Sequence, residues 1–225
     1  ALFLPEEWSN DRERCRDAGI PNDLVHRTKW EIALELHQEA RSNGVHFAWL
    51  TADEFYGRPV EFHLELSRRG QNYVLEVPRN FWGWCRKPEL LHKDHHGLTG
   101  RKLKAKNPSV STVENLAAHS PAFGKSPWVQ FLIKEGEKGP VVWEAKAAPF
   151  YLKDQDGLPT RAHLLIVARN VQNPEEVKYF VSNAPANTPL TTLLAVAFAR
   201  WHVERCFQDQ KTELGMGHFE VRNYT

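Results

Sequence analysis

The sequence predicts an α/β fold in which a mixed sheet with flanking helices is interrupted by a β-rich insertion domain. Three observations favour this fold: helices and strands alternate over residues 28–78, strand-like runs without a helical period occupy residues 128–182, and a long amphipathic helix comes last. The chain has 225 residues, of which 41% are hydrophobic and 25% charged. These proportions are typical of globular proteins and exclude wholesale disorder, collagen-like repeats and coiled coils.

The first helix is predicted from Thr28 to Gly44. Thr28 and Glu31 have the spacing of a capping box, apolar residues recur at helical intervals, and Gly44 is a typical helix-ending residue. The segment Val45–Thr51 is short and rich in β-branched and aromatic residues, which predicts a buried strand. This strand brings Asp53 to its carboxyl end.

A second helix is predicted over residues 59–69, ending at Gly70, and a second strand over residues 73–78. Alternating helices and strands are typical of parallel pairing, so we expect the two strands to be parallel neighbours. Residues 1–80 are therefore predicted to form the first part of the core domain.

Residues 81–184 are predicted to form a basic, β-rich insertion domain. Seven cationic side chains lie between residues 86 and 106, against two acidic ones: Arg86, Lys87, Lys93, Arg101, Lys102, Lys104 and Lys106. Strand-like runs follow, separated by Gly, Pro, Asn and Asp turn residues: 128–133, 141–145, 148–152, 163–169 and 178–182.

Residues 185–225 are predicted to return to the core as its last helix. Thr188 is a suitable N-cap, and Pro189 is favoured in the first turn of a helix. The amphipathic pattern then continues to about Leu214 and ends at Gly215. We expect one continuous helix over this range.

Charge, cysteine content and hydropathy limit the function classes. The formal net charge is only +1, so binding to a polyanion would depend on local segregation of charge. The three cysteines, Cys15, Cys85 and Cys206, lack CxxC spacing, which argues against a disulfide framework or structural zinc site and fits a reducing cytoplasm. We expect Cys85 and Cys206 to be buried or half-buried thiols.

No uncharged run reaches the roughly 18 residues that span a bilayer. Because the only methionine is Met216, we interpret the chain as a piece of a longer protein.

Two places in the sequence combine residues that can carry chemistry. Arg200, Glu204 and Lys211 fall within roughly 40° of one another on the last helix, at about 100° per residue. Asp53 follows a predicted strand, where open α/β sheets bind their ligands. Both have a simpler interpretation. The helical residues could form only a solvated ion pair, and Asp53 could be only a turn-forming aspartate. Together, Asp53 and Glu204 offer the oxygen ligands that two Mg²⁺ ions share in phosphoryl transfer.

Two other clusters favour a structural interpretation. The histidines His92, His95 and His96 could bind a transition metal, but adjacent side chains on a polar loop rarely converge, so a solvated loop is favoured. Trp82 and Trp84 lie just before the basic run and could stack on bases. Packing between the core and the insertion is favoured for both, because tryptophan buries a large apolar area.

Residues 51–57 resemble the second-aspartate motif of DDE transposases of bacterial insertion sequences: Thr51-Ala52-Asp53-Glu54-Phe55-Tyr56-Gly57. The last helix resembles the third-carboxylate region of that family through its spacing Arg-x3-Glu-x6-Lys, followed by Leu214-Gly215 and residues 218–222. This spacing is the tail of the signature of the cut-and-paste branch. The resemblance extends through residues 4–8 and covers most of the chain. It implies a ribonuclease H-like core that is interrupted before its last helix by a β-rich insertion.

The resemblance also implies roles for individual residues. Asp53 and Glu204 would be catalytic residues that bind the metal ion, which would be Mg²⁺ with Mn²⁺ as a substitute. The implied DNA-binding residues are Arg200, Trp201 and Lys211. Two departures from the family pattern are evident: Ala197 stands where the signature has a tyrosine, and the family's first catalytic aspartate would lie upstream of Ala1. We therefore expect this chain alone to be inactive.

The implied partner is double-stranded DNA, in the form of terminal inverted repeats and target DNA, bound by a homodimer in the bacterial cytoplasm at the nucleoid, with no membrane involved. The implied activity is cleavage of insertion-sequence ends and their joining to target DNA by two-metal phosphoryl transfer. Two alternatives stay open: a catalytically incomplete DNA-binding remnant, and a metal-dependent nuclease of the same fold.

Overall fold

The computed structural model describes residues 3–92, 103–124, 127–136 and 139–215. Within these ranges the helices are α1 (Glu6–Asn10), α2 (Arg12–Asp17), α3 (Lys29–Ser42), α4 (Glu54–Gly57), α5 (Val60–Arg68), α6 (Val113–His119), α7 (Pro121–Gly124), α8 (Leu190–Phe198) and α9 (Trp201–Glu213). The strands are β1 (Trp49–Ala52), β2 (Asn72–Val77), β3 (Trp82–Trp84), β4 (Glu89–His92), β5 (Leu103–Lys106), β6 (Ser111–Thr112), β7 (Val129–Gly136), β8 (Gly139–Lys153), β9 (Pro159–Asn170) and β10 (Val177–Ser182).

The chain divides into two compact units, Ala1–His46 with Arg200–Thr225 and Phe47–Ala199. In the first unit, α3 confirms the predicted capping box. The Glu31 N–H donates to Thr28 Oγ1 at 3.4 Å, and the Thr28 N–H donates to Glu31 Oε2 at 2.8 Å. A small apolar core lies nearer the amino terminus, where buried Leu4, Cys15 and Ile20 pack together.

The first strand, β1, is shorter than the predicted strand Val45–Thr51 and begins later. The Val45 N–H donates to Ala40 O at 2.9 Å, so Val45 belongs to the carboxyl-terminal cap of α3. Val45 and Phe47 are 53% and 37% exposed, which is not the burial expected of a core strand. The strand begins at Trp49, where its pairing with Asn72 of β2 begins.

The second unit is built on one mixed sheet with the strand order β1-β2-β10-β9-β8-β3-β6, in which β7 also pairs with β8. The predicted parallel pairing is confirmed for β1 and β2, whose register runs from Trp49↔Asn72 to Ala52↔Leu75. The other strand pairs of this sheet are antiparallel. The fold is therefore a mixed α/β sheet with flanking helices, as predicted.

The β-rich middle segment continues the sheet that β1 and β2 begin. Strand β10 pairs directly with β2, with Tyr179 opposite Val77. The predicted runs 141–145 and 148–152 form the single long strand β8. The predicted domain boundaries after residues 80 and 184 both lie inside the unit Phe47–Ala199 and stay predictions.

The main core of the second unit lies between the sheet and α8. Buried side chains from the sheet meet buried side chains from α8: Val74, Ile166 and Phe180 on one side, and Leu193, Leu194 and Ala197 on the other. The expected continuous last helix is wrong in one respect, because α8 ends at Phe198 and α9 begins at Trp201. The Ala199 N–H is shared between the Ala195 and Val196 carbonyls, which tightens the final turn of α8.

Candidate functional site

Asp53 lies at the carboxyl end of β1, as predicted, and is the N-cap of the one-turn helix α4. Its Oδ1 accepts hydrogen bonds from the Phe55 N–H at 3.1 Å and the Tyr56 N–H at 3.4 Å. The side chain is half-buried. Asp53 therefore does form the turn, and its cap bonds hold the carboxylate at the edge of the sheet where the parallel strands β1 and β2 end.

Helix α4 lies directly against the backbone of β2. A Cβ atom at Gly57 would stand 1.9 Å from Glu76 O, so only glycine permits this approach. The Gly57 N–H donates to Asp53 O at 2.9 Å, which ties the end of the helix back to its cap. The glycine of the TADEFYG segment thus has a packing function that its sequence position alone does not disclose.

A cavity of about 450 Å³ lies beside α4 at the same edge of the sheet. Glu54, Glu76, Arg79 and Lys178 are among the residues that line it. Lys178 Nζ is ion-paired with Glu76 Oε1 at 2.6 Å, whereas Arg79 is in no ion pair within the described part of the chain. These residues were not predicted from the sequence, although Arg79 follows a predicted strand just as Asp53 does.

The other predicted site residues belong to the first unit. Glu204 and Lys211 lie on α9, Trp201 is its first residue, and Arg200 precedes it. Lys211 is exposed and Arg200 is half-buried, while the side chains of Trp201 and Glu204 lie outside the described residues. The helix thus keeps Glu204 and Lys211 at the predicted backbone spacing.

Asp53 supplies oxygen donors of the kind that Mg²⁺ prefers. Within the described residues, no group of three or more His, Cys, Asp or Glu side chains is arranged to hold a metal ion. Asp53 therefore fits as one metal ligand, and a complete site requires further carboxylates.

The structure also bears on the tryptophans, cysteines and histidines that the sequence singled out. Trp84 is buried and its Nε1 donates to Pro108 O at 3.1 Å, which confirms a packing role, whereas Trp82 is 50% exposed. Cys85 is half-buried, and burial raises the pKa of its thiol. Cys206 is exposed, which corrects the expectation of burial.

The His92–His96 cluster lies outside the described residues except for the backbone of His92 in β4. Among the helices that the structure describes, none is long and apolar enough to cross a membrane.

Comparison with known proteins identifies a family. A family model described as "DDE superfamily endonuclease" matches residues 1–140. The matched segment contains β1, Asp53, α4 and β2, and it ends near the start of β8. A search of curated proteins gave no match.

Proposed function

Because the chain belongs to the DDE superfamily endonuclease family, we propose that it acts in a bacterial insertion-sequence transposase, cleaving the ends of the element and joining them to target DNA. The observation that carries this proposal is the placement of Asp53. It follows a strand of the core sheet within the segment that the family model matches. Membership of a DDE transposase-type family also implies a DNA substrate.

We assign Asp53 and Glu204 as metal ligands, with Mg²⁺ as the metal and Mn²⁺ as its substitute. Asp53 supports this assignment because its carboxylate is held at the ligand-binding edge of the sheet by two backbone N–H groups. A metal ion held by these residues would supply an activated water and stabilise the leaving oxygen of a phosphodiester. Arg200, Trp201 and Lys211 would hold the DNA end beside it.

The basic segment is proposed to bind the DNA backbone, and the pattern of ion pairing supports this. Two cations of the second unit's sheet are ion-paired, Lys178 with Glu76 and Arg169 with Glu144. In contrast, four exposed cations on and next to β4 and β5 are in no ion pair within the described part of the chain: Arg86, Lys87, Lys104 and Lys106. Unpaired surface cations are available to neutralise phosphates, so binding should weaken as salt increases. We expect a homodimer on the DNA, at the nucleoid in the cytoplasm.

The first prediction concerns Glu204→Gln. This change should abolish cleavage of DNA that carries the terminal inverted repeats, with about a hundredfold loss or more, because a carboxylate metal ligand is removed. DNA affinity should stay within about threefold, since the phosphate-binding cations remain. The measurement pairs a nicking assay in Mg²⁺ or Mn²⁺ with a gel-shift titration, using the full-length transposase.

Glu213→Gln is the matched control, because Glu213 is exposed on the same helix and has no proposed role. It should leave both cleavage and binding unchanged. Equal loss of cleavage and binding in Glu204→Gln would show that Glu204 is structural. Robust cleavage by this chain alone would rule out the DNA-binding remnant, and hydrolysis without joining by the full-length protein would favour a nuclease.

A further inference from the structure

We propose that His63 is a positioning residue for Asp53, acting through α4. The inference rests on the proposed role of Asp53 as a metal ligand. It is carried by one contact at the far end of the helix that Asp53 caps: His63 Nε2 donates to Gly57 O at 2.7 Å.

Helix α4 needs external support, because a helix of four residues is far shorter than the roughly 12 residues at which isolated helices become marginally stable. Asp53 supports the amino-terminal end through its bonds to Phe55 and Tyr56. Support at the carboxyl-terminal end comes from β2, which touches Gly57, and from His63 on α5. The short helix is therefore held between a strand and a histidine ring.

The ring of His63 is itself fixed. It is fully buried, at 0% exposure, and its centroid lies 5.2 Å from that of Tyr73 and 5.7 Å from that of Phe81. Burial lowers its pKa to about 3, so the imidazole is neutral near pH 7 and carries a single N–H. A carbonyl can only accept, which places that proton on Nε2. Within the described residues Nδ1 has no hydrogen-bond partner, so the contact with Gly57 is the ring's one hydrogen bond there.

This contact bears on Asp53 because the carboxylate and the helix move together. Oδ1 accepts from N–H groups of α4, and the Gly57 N–H returns to Asp53 O at 2.9 Å. A shift of α4 away from β2 would therefore displace the carboxylate from the edge of the sheet. His63 opposes that shift from the side of Gly57, and it touches no substrate or metal in this role.

The decisive variants are His63→Leu and His63→Gln. Leucine is apolar and removes the donor, whereas the side-chain amide of glutamine can place an N–H where the imidazole Nε2 stood. His163→Leu is the matched control: His163 is also buried, at 3% exposure, but its Nδ1 donates to Arg161 O on its own strand, β9. Should His63→Leu fail to fold, His63→Asn replaces it, because its shorter amide cannot reach Gly57.

The first readout is amide hydrogen exchange of Phe55, Tyr56 and Gly57, measured by NMR on the whole chain without metal. In His63→Leu these amides should exchange about tenfold faster than in the unsubstituted protein, relative to those of Val74 and Leu75 in β2. His63→Gln should restore the rates to within about threefold. Equal effects of His63→Leu and His163→Leu on α4, or no restoration by glutamine, would overturn the proposal.

The second readout is Mn²⁺ binding, followed by the relaxation of solvent water protons. His63→Leu should weaken Mn²⁺ binding about fivefold or more, and His163→Leu should leave it unchanged. Asp53→Asn separates the two proposals. If it does not reduce Mn²⁺ binding, the metal-ligand role of Asp53 is wrong, while the exchange rates still decide whether His63 holds α4.

Discussion

At the scale of single residues, the second unit keeps two histidines neutral in its core. His63 and His163 are 0% and 3% exposed, and each donates one ring N–H to a backbone carbonyl. Burial lowers the pKa of His63 to about 3 and that of His163 to about 4. Both rings lie next to Tyr73, whose phenol is also buried and has its pKa raised by burial. Burial thus suppresses charge on all three groups.

The depressed pKa values predict acid sensitivity. Between the folded pKa and the unfolded value of about 6.5, the unfolded chain binds more protons, so stability is intact above pH 6.5 and falls as the pH drops toward 4. From pH 7 to pH 5 each histidine should cost about 2 kcal/mol. Urea unfolding at both pH values measures the loss, and His163→Gln should make it smaller. An unchanged pH dependence in that variant would contradict the prediction.

At the scale of elements, a helix could be predicted where its capping residues lie next to it in the sequence. Thr28 and Glu31 define the start of α3 because the bonds that stabilise it join residues three apart. The parallel pairing of β1 with β2 could be predicted from the alternation of helices and strands, but the pairing of β2 with β10 could not. Strands β2 and β10 are joined through Lys178 and Glu76, which are 102 positions apart, and no spacing rule encodes such a pair.

The same distinction applies to the candidate site. Asp53 was found because a polar residue at the end of an apolar strand is visible in the sequence. The close contact of Gly57 with Glu76 is not visible in the sequence, because it depends on how α4 packs against β2. His63 was likewise missed, because a histidine within an amphipathic helix is ordinary until its carbonyl partner is known.

The packing of α4 on β2 predicts that Gly57→Ala is strongly destabilising. The new Cβ would lie 1.9 Å from Glu76 O, so backbone must move, at a cost of about 3 kcal/mol. Gly70→Ala is the control within the same unit: Gly70 has a φ of +68°, but a Cβ added there would meet no described atom within 4 Å, so only about 1 kcal/mol of backbone strain is expected. Chemical denaturation compares the two. A smaller loss for Gly57→Ala than for Gly70→Ala would contradict the packing argument.

At the scale of the whole molecule, charge and structure are distributed unevenly. The net charge of +1 conceals a basic segment around β4 and β5 whose described cations are in no ion pair, whereas two cations of the central sheet, Arg169 and Lys178, are ion-paired with glutamates. The main core is also local to one unit, because its members lie between Trp49 and Phe198. The proposed DNA-binding surface and the main core therefore use different residues of the same unit.

This distribution predicts that residues 47–199 fold without the rest of the chain. The fragment keeps the complete central sheet and the α8 side chains that cover it, including Leu193 and Leu194, so its core stays closed. Urea unfolding followed by tryptophan fluorescence should show one cooperative transition, with dispersed amide resonances in the NMR spectrum. The shorter fragment 47–184 is the control: it loses α8, exposes the face of the sheet around Ile166 and Phe180, and should lack a cooperative transition. An unfolded 47–199 fragment, or a 47–184 fragment of equal stability, would show that the core depends on contacts other than those between the sheet and α8.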